Sequence, residues 1–114
     1  MKVSVLIDTY NSAPFIVQAV ESALSQESSD DVHVIVVDDG SDDGTAERLT
    51  PYLGRVTYVR QENGGQLAAL NAGFSRAEGD IVCLLDGDDF WLPGKIRRVT
   101  DAFARDPDLG AASR

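Results

Sequence analysis

The chain has 114 residues, a net charge of −9 and 43% hydrophobic residues. That length fits one domain, and that apolar content suffices for a packed core, which excludes a disordered chain. The acidity excludes a general binder of nucleic acid or of anionic membranes, because phosphates would be repelled, but it leaves room for a small phosphorylated ligand held through a divalent cation.

Val3, Val5, Leu6 and Ile7 predict a first strand. Ser12 and Pro14 have the chemistry of a helix start, and Phe15, Ile16, Ala19, Val20, Ala23 and Leu24 repeat at helical spacing. The β-branched run from Val32 to Val37 predicts a second strand, and Asp43 to Leu53 a weaker helix interrupted by Pro51. Val56 to Arg60 predicts a short third strand, Gln66 to Ala77 an alanine- and leucine-rich helix, and Ile81 to Leu85 a fourth strand. Pro93 to Ala104 predicts a last helix with Ile96, Val99, Ala102 and Phe103 on one face, and Leu109 to Ser113 the start of a fifth strand. The single cysteine, Cys83, sits mid-strand and reads as a small buried side chain. No apolar run reaches the roughly 20 residues that span a bilayer. Lys2 and Val3 lead straight into a strand, so no leader is expected and a cytoplasmic location is.

Strands alternating with helices imply an α/β fold, Rossmann-like, with a mostly parallel sheet and helices on both faces. In such sheets ligands collect beyond the carboxyl ends of the strands. The chain places its polar clusters there: Asp8-Thr9-Tyr10-Asn11, Asp38-Asp39-Gly40-Ser41, Glu62-Asn63-Gly64-Gly65 and Asp86-Gly87-Asp88-Asp89. The last cluster is either a solvated acidic turn or a site for a hard cation such as Mg²⁺ or Mn²⁺, with Gly87 leaving room for a close approach to the backbone. No His or Cys cluster accompanies it, which argues against zinc. One of Asp38 and Asp39 is expected to face a ligand and the other to bond backbone groups; facing a ligand, it accepts an imide N–H such as that of uracil. Asp42 and Asp43 read as turn and cap residues. Tyr10 is balanced between stacking on a base and packing on its neighbours. Asn63-Gly64-Gly65 reads first as a glycine turn and second as a source of N–H groups for phosphate. Asn71 is expected to bond inward and support the site, Trp91 to pack beneath the acidic turn, and His33 to lie on the surface.

The stretches VSVLIDTYN, VIVVDDGSDDGT, ENGGQLAALNAGFSRAEGD and IVCLLDGDDFWLP, in this order, resemble the inverting nucleotide-sugar glycosyltransferases of family 2, which have the GT-A fold. The resemblance runs from about Val3 to Pro93 and implies a UDP-sugar-like donor, a divalent cation (Mn or Mg) and an acceptor glycan, lipid or protein. It implies nucleotide contacts at Asp8, Thr9, Tyr10, Asp39, Asn63, Gly64, Asp86 and Gly87, with Tyr10 stacking on the base and Asp39 accepting the uracil N3–H. Asp88 is the implied main metal ligand, flanked by Asp86 and Asp89. Two departures stand out: Asp8 where many members have Pro, and Leu70 where many have a nucleotide-binding Arg. Residues 1–114 are expected to form a single nucleotide-sugar-binding domain, with the acceptor half and the general base beyond residue 114. An unpaired sheet edge invites dimerisation.

Three other readings compete. A receiver-like signalling domain needs its acidic pair after strand one and a late lysine, whereas no lysine follows Lys95. A nucleotidyltransferase needs a basic glycine-rich loop after strand one, and a dinucleotide-binding domain needs G-x-G-x-x-G there; DTYNSAPF offers neither. A nucleotide-binding remnant with a partner-binding role keeps the same residues without turnover.

Overall fold

The computed structural model describes residues 2–28 and 30–106. Four strands, β1 (Lys2–Thr9), β2 (Asp31–Asp38), β3 (Thr57–Arg60) and β4 (Ile81–Asp86), form one parallel sheet in the order β3-β2-β1-β4. The helices are α1 (Ile16–Leu24), α2 (Thr45–Leu49), α3 (Gln66–Arg76) and α4 (Lys95–Arg105). The expected fifth strand at Leu109 to Ser113 lies outside the described residues. No helix among the described residues is long and apolar enough to cross a bilayer.

The period-two alternation of β1 divides its side chains between two layers. Val3, Val5 and Ile7 join Ile16, Val20, Val34, Val36, Cys83, Leu85 and Ile96 on one face. Leu6 points the other way, with Ile35 and Val37, under Ala69 of α3. There α3 lies close to the sheet because Gly73 has no side chain: a Cβ at that position would overlap the fully buried Leu6 side chain. Cys83 is buried among aliphatic side chains, which pushes its thiol up to about 11.

Local starts and stops differ from the sequence reading. Helix α1 begins at Ile16 because residues 13–15 form a turn whose N–H groups at Phe15 and Ile16 both donate to the Ser12 carbonyl, at 2.8 Å each. The Ser12 side chain caps nothing. The helix expected from Asp43 is five residues of α2 followed by a 3₁₀ turn at Thr50–Tyr52, consistent with Pro51 lacking an N–H. Gly94, at φ 87°, delays α4 to Lys95. His33 is half-buried on β2, 2.7 Å from the Thr57 hydroxyl of β3, instead of lying free on the surface.

Strands run outward from β1 to β2 to β3, and the chain then crosses back to place β4 on the other side of β1. The switch point of the sheet therefore lies at the carboxyl ends of β1 and β4, where Asp8 and Asp86 stand opposite each other in register.

Candidate nucleotide and cation site

The loops after β1 and β2 are stitched together. The Asn11 N–H donates to the Ser41 hydroxyl at 2.9 Å, and the Asp42 N–H donates to Asn11 Oδ1 at 3.0 Å. Asn11 adopts a left-handed conformation, φ 52°, to make this exchange. Asp43 works between two elements: its Oδ2 accepts the Ala13 N–H, and its Oδ1 accepts the N–H and hydroxyl of Thr45 at the start of α2. The Thr45 hydroxyl and these N–H groups hold its carboxyl below the usual carboxylate range against the opposing effect of burial.

Asp38 and Asp39 divide their work. Asp38 is fully buried and turned into the fold. It accepts hydrogen bonds from the Ser41 N–H at 2.9 Å, from Tyr58 Oη at 2.6 Å and from Arg60 Nη1 at 3.2 Å. Burial, together with the Asp38 charge, pushes the Tyr58 phenol up to about 12. Asp39 faces the carboxyl edge but is 4% exposed. Its Oδ1 accepts from Gln61 Nε2 at 2.8 Å and the Gly64 N–H at 2.9 Å, and its Oδ2 from the Gly65 N–H at 2.9 Å and Asn63 Nδ2 at 3.2 Å. Burial raises the Asp39 carboxyl, but the donors from Gln61, Gly64 and Gly65 outweigh it and leave it below its ordinary value. The N–H groups of Gly64 and Gly65, considered above for phosphate, are thus spent on Asp39. The loop comes so close that a Cβ on Gly40 would sit 2.8 Å from the Asn63 nitrogen.

A cavity of about 240 Å³ opens here, lined by Asp8, Thr9, Tyr10, Asp39, Asn63, Gly65, Gln66 and Ala69. Tyr10, one of the lining residues, is half exposed. Of the eight residues expected at a nucleotide, Asp8, Thr9, Tyr10, Asp39 and Asn63 line this cavity; Gly64, Asp86 and Gly87 do not. A larger cavity of about 400 Å³ lies along α1 beside Arg55 and contains no strand-end residue. Topology favours the smaller one, which lies at the carboxyl ends of β1 and β2, with Asp8 at the border of the switch point.

Asp86 and Gly87 belong to the neighbouring acidic turn. Carboxylate oxygens of Asp86, Asp88 and Asp89 lie within 4.8 Å of one another, with Asp86 half-buried and the other two exposed. The Asp89 N–H closes the turn on the Asp86 carbonyl at 3.0 Å, and the Gly87 N–H ties it to the Asp8 carbonyl at 2.8 Å. The group that comes close to Gly87 is Thr9: a Cβ at 87 would meet the Thr9 side chain at 2.8 Å. At this separation two carboxylates repel by about 1 kcal/mol in water, and more where water is displaced. An all-oxygen anionic donor set of this kind fits a hard divalent cation.

Gln66 was not singled out in the sequence. Its amide nitrogen reaches Asp8 Oδ2 at 3.1 Å and Asp86 Oδ1 at 3.3 Å, joining the cavity to the acidic turn. The sequence cue is its place as the first residue of α3, just after two glycines. Asn71, expected to support the site, is exposed, because α3 turns Ala69 and Gly73 to the sheet and residue 71 away from it. Trp91 is buried against α1, as the packing reading expects; its backbone N–H donates to the Ser22 hydroxyl at 3.0 Å, and its indole N–H has no partner among the described residues.

The model of the family described as Glycosyl transferase family 2 matches residues 4–114. The chain belongs to that family. An uncharacterized glycosyltransferase of Nostoc sp. is 38% identical over 96% of this chain, and the uncharacterized glycosyltransferase EpsJ of Bacillus subtilis is 34% identical over 87%. Those alignments cover 35% and 29% of the relatives, so the chain spans about a third of their length. Among solved structures, the mannosyltransferase PcManGT of Pyrobaculum calidifontis, in complex with GDP-Man and Mn²⁺, superposes with a TM-score of 0.86 at 31% identity, over 95% of this chain and 33% of that one. TarS of S. aureus in complex with UDP-GlcNAc superposes with a TM-score of 0.81 at 28% identity, over 92% of this chain and 32% of that one. The family, the parallel α/β architecture and the likeness to glycosyltransferases accord with the sequence reading.

Proposed function

We propose that this chain is the nucleotide-sugar-binding part of a metal-dependent glycosyltransferase that transfers a sugar from a UDP-sugar-like donor to an acceptor hydroxyl with inversion. The observation that carries the reading is the adjacency, through Asp8 and Gln66, of a cavity lined by Tyr10 and a three-carboxylate turn. The complexes of TarS with UDP-GlcNAc and of PcManGT with GDP-Man and Mn²⁺ support it.

In this reading the base enters the cavity and stacks on Tyr10, next to Asn63. Asp39 takes an imide N–H after one of its two side-chain donors, Gln61 or Asn63, swings aside; its other two donors are backbone N–H groups. Asp88 holds a divalent cation together with Asp86 and Asp89. The bound cation supplies the positive charge that offsets the departing diphosphate. Without it, an acidic turn on a chain of net charge −9 would repel that diphosphate. The acceptor hydroxyl attacks the anomeric carbon opposite the leaving group, and a carboxylate base takes its proton. We assign that base, and the acceptor site, to the part of the relatives' length that this chain does not span. A cytoplasmic location and pairing of two copies through a sheet edge belong to the same proposal.

Calorimetric titration with UDP, with and without Mn²⁺, tests the reading. Binding is expected to need Mn²⁺ and to weaken at least about tenfold in Asp88→Asn. Equal binding without metal, or equal binding by the variant, would sink the metal-bridged site. Binding without any turnover by a chain extended to the relatives' full length would favour the remnant reading instead.

A further inference from the structure

Two carboxylates line the cavity, and their situations are opposite. Asp39 accepts four hydrogen bonds, which fills the four acceptor positions of a carboxylate. Asp8 accepts one, from the exposed Gln66 amide at 3.1 Å, through Oδ2. Its Oδ1 is shut off from solvent with no partner among the described residues. An unpaired buried carboxylate oxygen is costly, more so than a neutral acceptor. Thr9 Oγ1, which also lines the cavity, is buried without a partner among the described residues as well, but it is neutral; the charged acceptor left open in this cavity is Asp8.

Its location indicates the donor it would meet. Asp8 lines the cavity on one side. On the other it stands in register with Asp86, and the Gln66 amide spans both carboxylates. A nucleoside diphosphate with its base in the cavity and its phosphates at the acidic turn carries its ribose past Asp8. Ribose offers two adjacent hydroxyl donors. The carboxylate torsion of an aspartate is broad, so a turn about Cβ–Cγ brings the unpaired oxygen to the cavity wall without moving β1, and exposed Gln66 can give way.

We propose that Asp8 accepts a hydrogen bond from a ribose hydroxyl of the nucleoside diphosphate. The inference rests on the donor-site reading above. The opposing role for Asp8 is repulsion of the diphosphate, which its removal would relieve.

The test is calorimetry in Mn²⁺ with UDP and GDP, and then with the 2′-deoxy and 3′-deoxy forms of whichever binds more tightly. The expected result for the wild-type chain is a loss of about tenfold on removing one of the two hydroxyls. Asp8→Ala is expected to bind the parent nucleotide about tenfold more weakly and to lose the distinction between parent and deoxy forms. Asp8→Asn keeps the side chain's size and should fall between, with a thermal melt confirming its fold. Unchanged or tighter binding by Asp8→Ala, or discrimination that survives it, overturns the proposal and leaves the donor site standing. A wild-type chain that binds neither nucleotide overturns the donor-site reading, and this proposal with it.

Discussion

The loops after β2 and β4 are built from the same residues, aspartates and a glycine, and use them in opposite ways. After β2, Asp38, Asp39 and Asp43 are consumed by the fold: every one accepts N–H or O–H donors from other segments. After β4, Asp88 and Asp89 stay exposed, and their carboxylates converge with that of Asp86. One loop uses negative charge to hold the carboxyl edge in shape; the other presents negative charge to whatever arrives. The difference between them is burial: Asp38 and Asp39 are buried, whereas Asp88 and Asp89 are exposed. The β2 loop lies beside Tyr58, Arg60, Gln61 and the two glycine N–H groups, whereas the β4 turn projects beyond its strand.

The largest break in that comparison should come from Asp38→Ala. It strands the Ser41 N–H and the Tyr58 hydroxyl inside the fold, and a loss of about 2–3 kcal/mol is expected in urea unfolding. Arg60 adds little to that figure, because its side chain is 48% exposed and water can replace its half of the ion pair. A loss below about 0.5 kcal/mol would mean that the loop does not depend on its buried acid.

Asp39 sharpens the comparison through pH. Its folded-state carboxyl lies below the ordinary value, so its contribution is fully present above the unfolded pKa of about 3.9 and is lost as pH falls through the folded value. Stability should decline below about pH 4, and Asp39→Asn should flatten that decline. The urea midpoint followed from pH 6 to pH 3 measures it. An acid limb of unchanged steepness in the variant would detach Asp39 from the pH response.

The smallest effect on stability is expected at Asp88 and Asp89. Either one changed to Asn should shift the urea midpoint by no more than about 0.5 kcal/mol, with any change toward greater stability because like charges are relieved. A destabilisation as large as that of Asp38→Ala would show that the acidic turn is also a structural acid, and the contrast between the two loops would collapse.

Much of this was legible in the chain. The β-branched run at residues 32–37 and the apolar run at 81–85 are strong strand signals, and polar clusters immediately after strands locate the carboxyl edge. The split between Asp38 and Asp39 followed from the alternation of a strand, although alternation alone did not say that Asp39 would be saturated. The start of α1 misled because Ser12 and Pro14 satisfy a local capping pattern, while the chain there was also bound by Asp43 to a segment thirty residues away. Gln61 and Gln66 escaped notice because a glutamine looks like ordinary surface until the carboxylates it reaches are known. Asn71 was assigned an inward role from its apolar neighbours, but the helical phase of α3 is set by Ala69 and Gly73 against the sheet.

The contact of Gly87 with Thr9 has a consequence for the scale of the site. It locks the acidic turn to the end of the adjacent strand, and neighbouring strands stand about 4.8 Å apart wherever backbone hydrogen bonds set the interval. The grips on either side of β1 therefore hang from a ruler whose divisions are made by the main chain and not by the loops. Substitutions in the loops can alter what each grip holds. They leave that interval alone, so a ligand that reached both, as proposed above, would have to keep one stride from end to end.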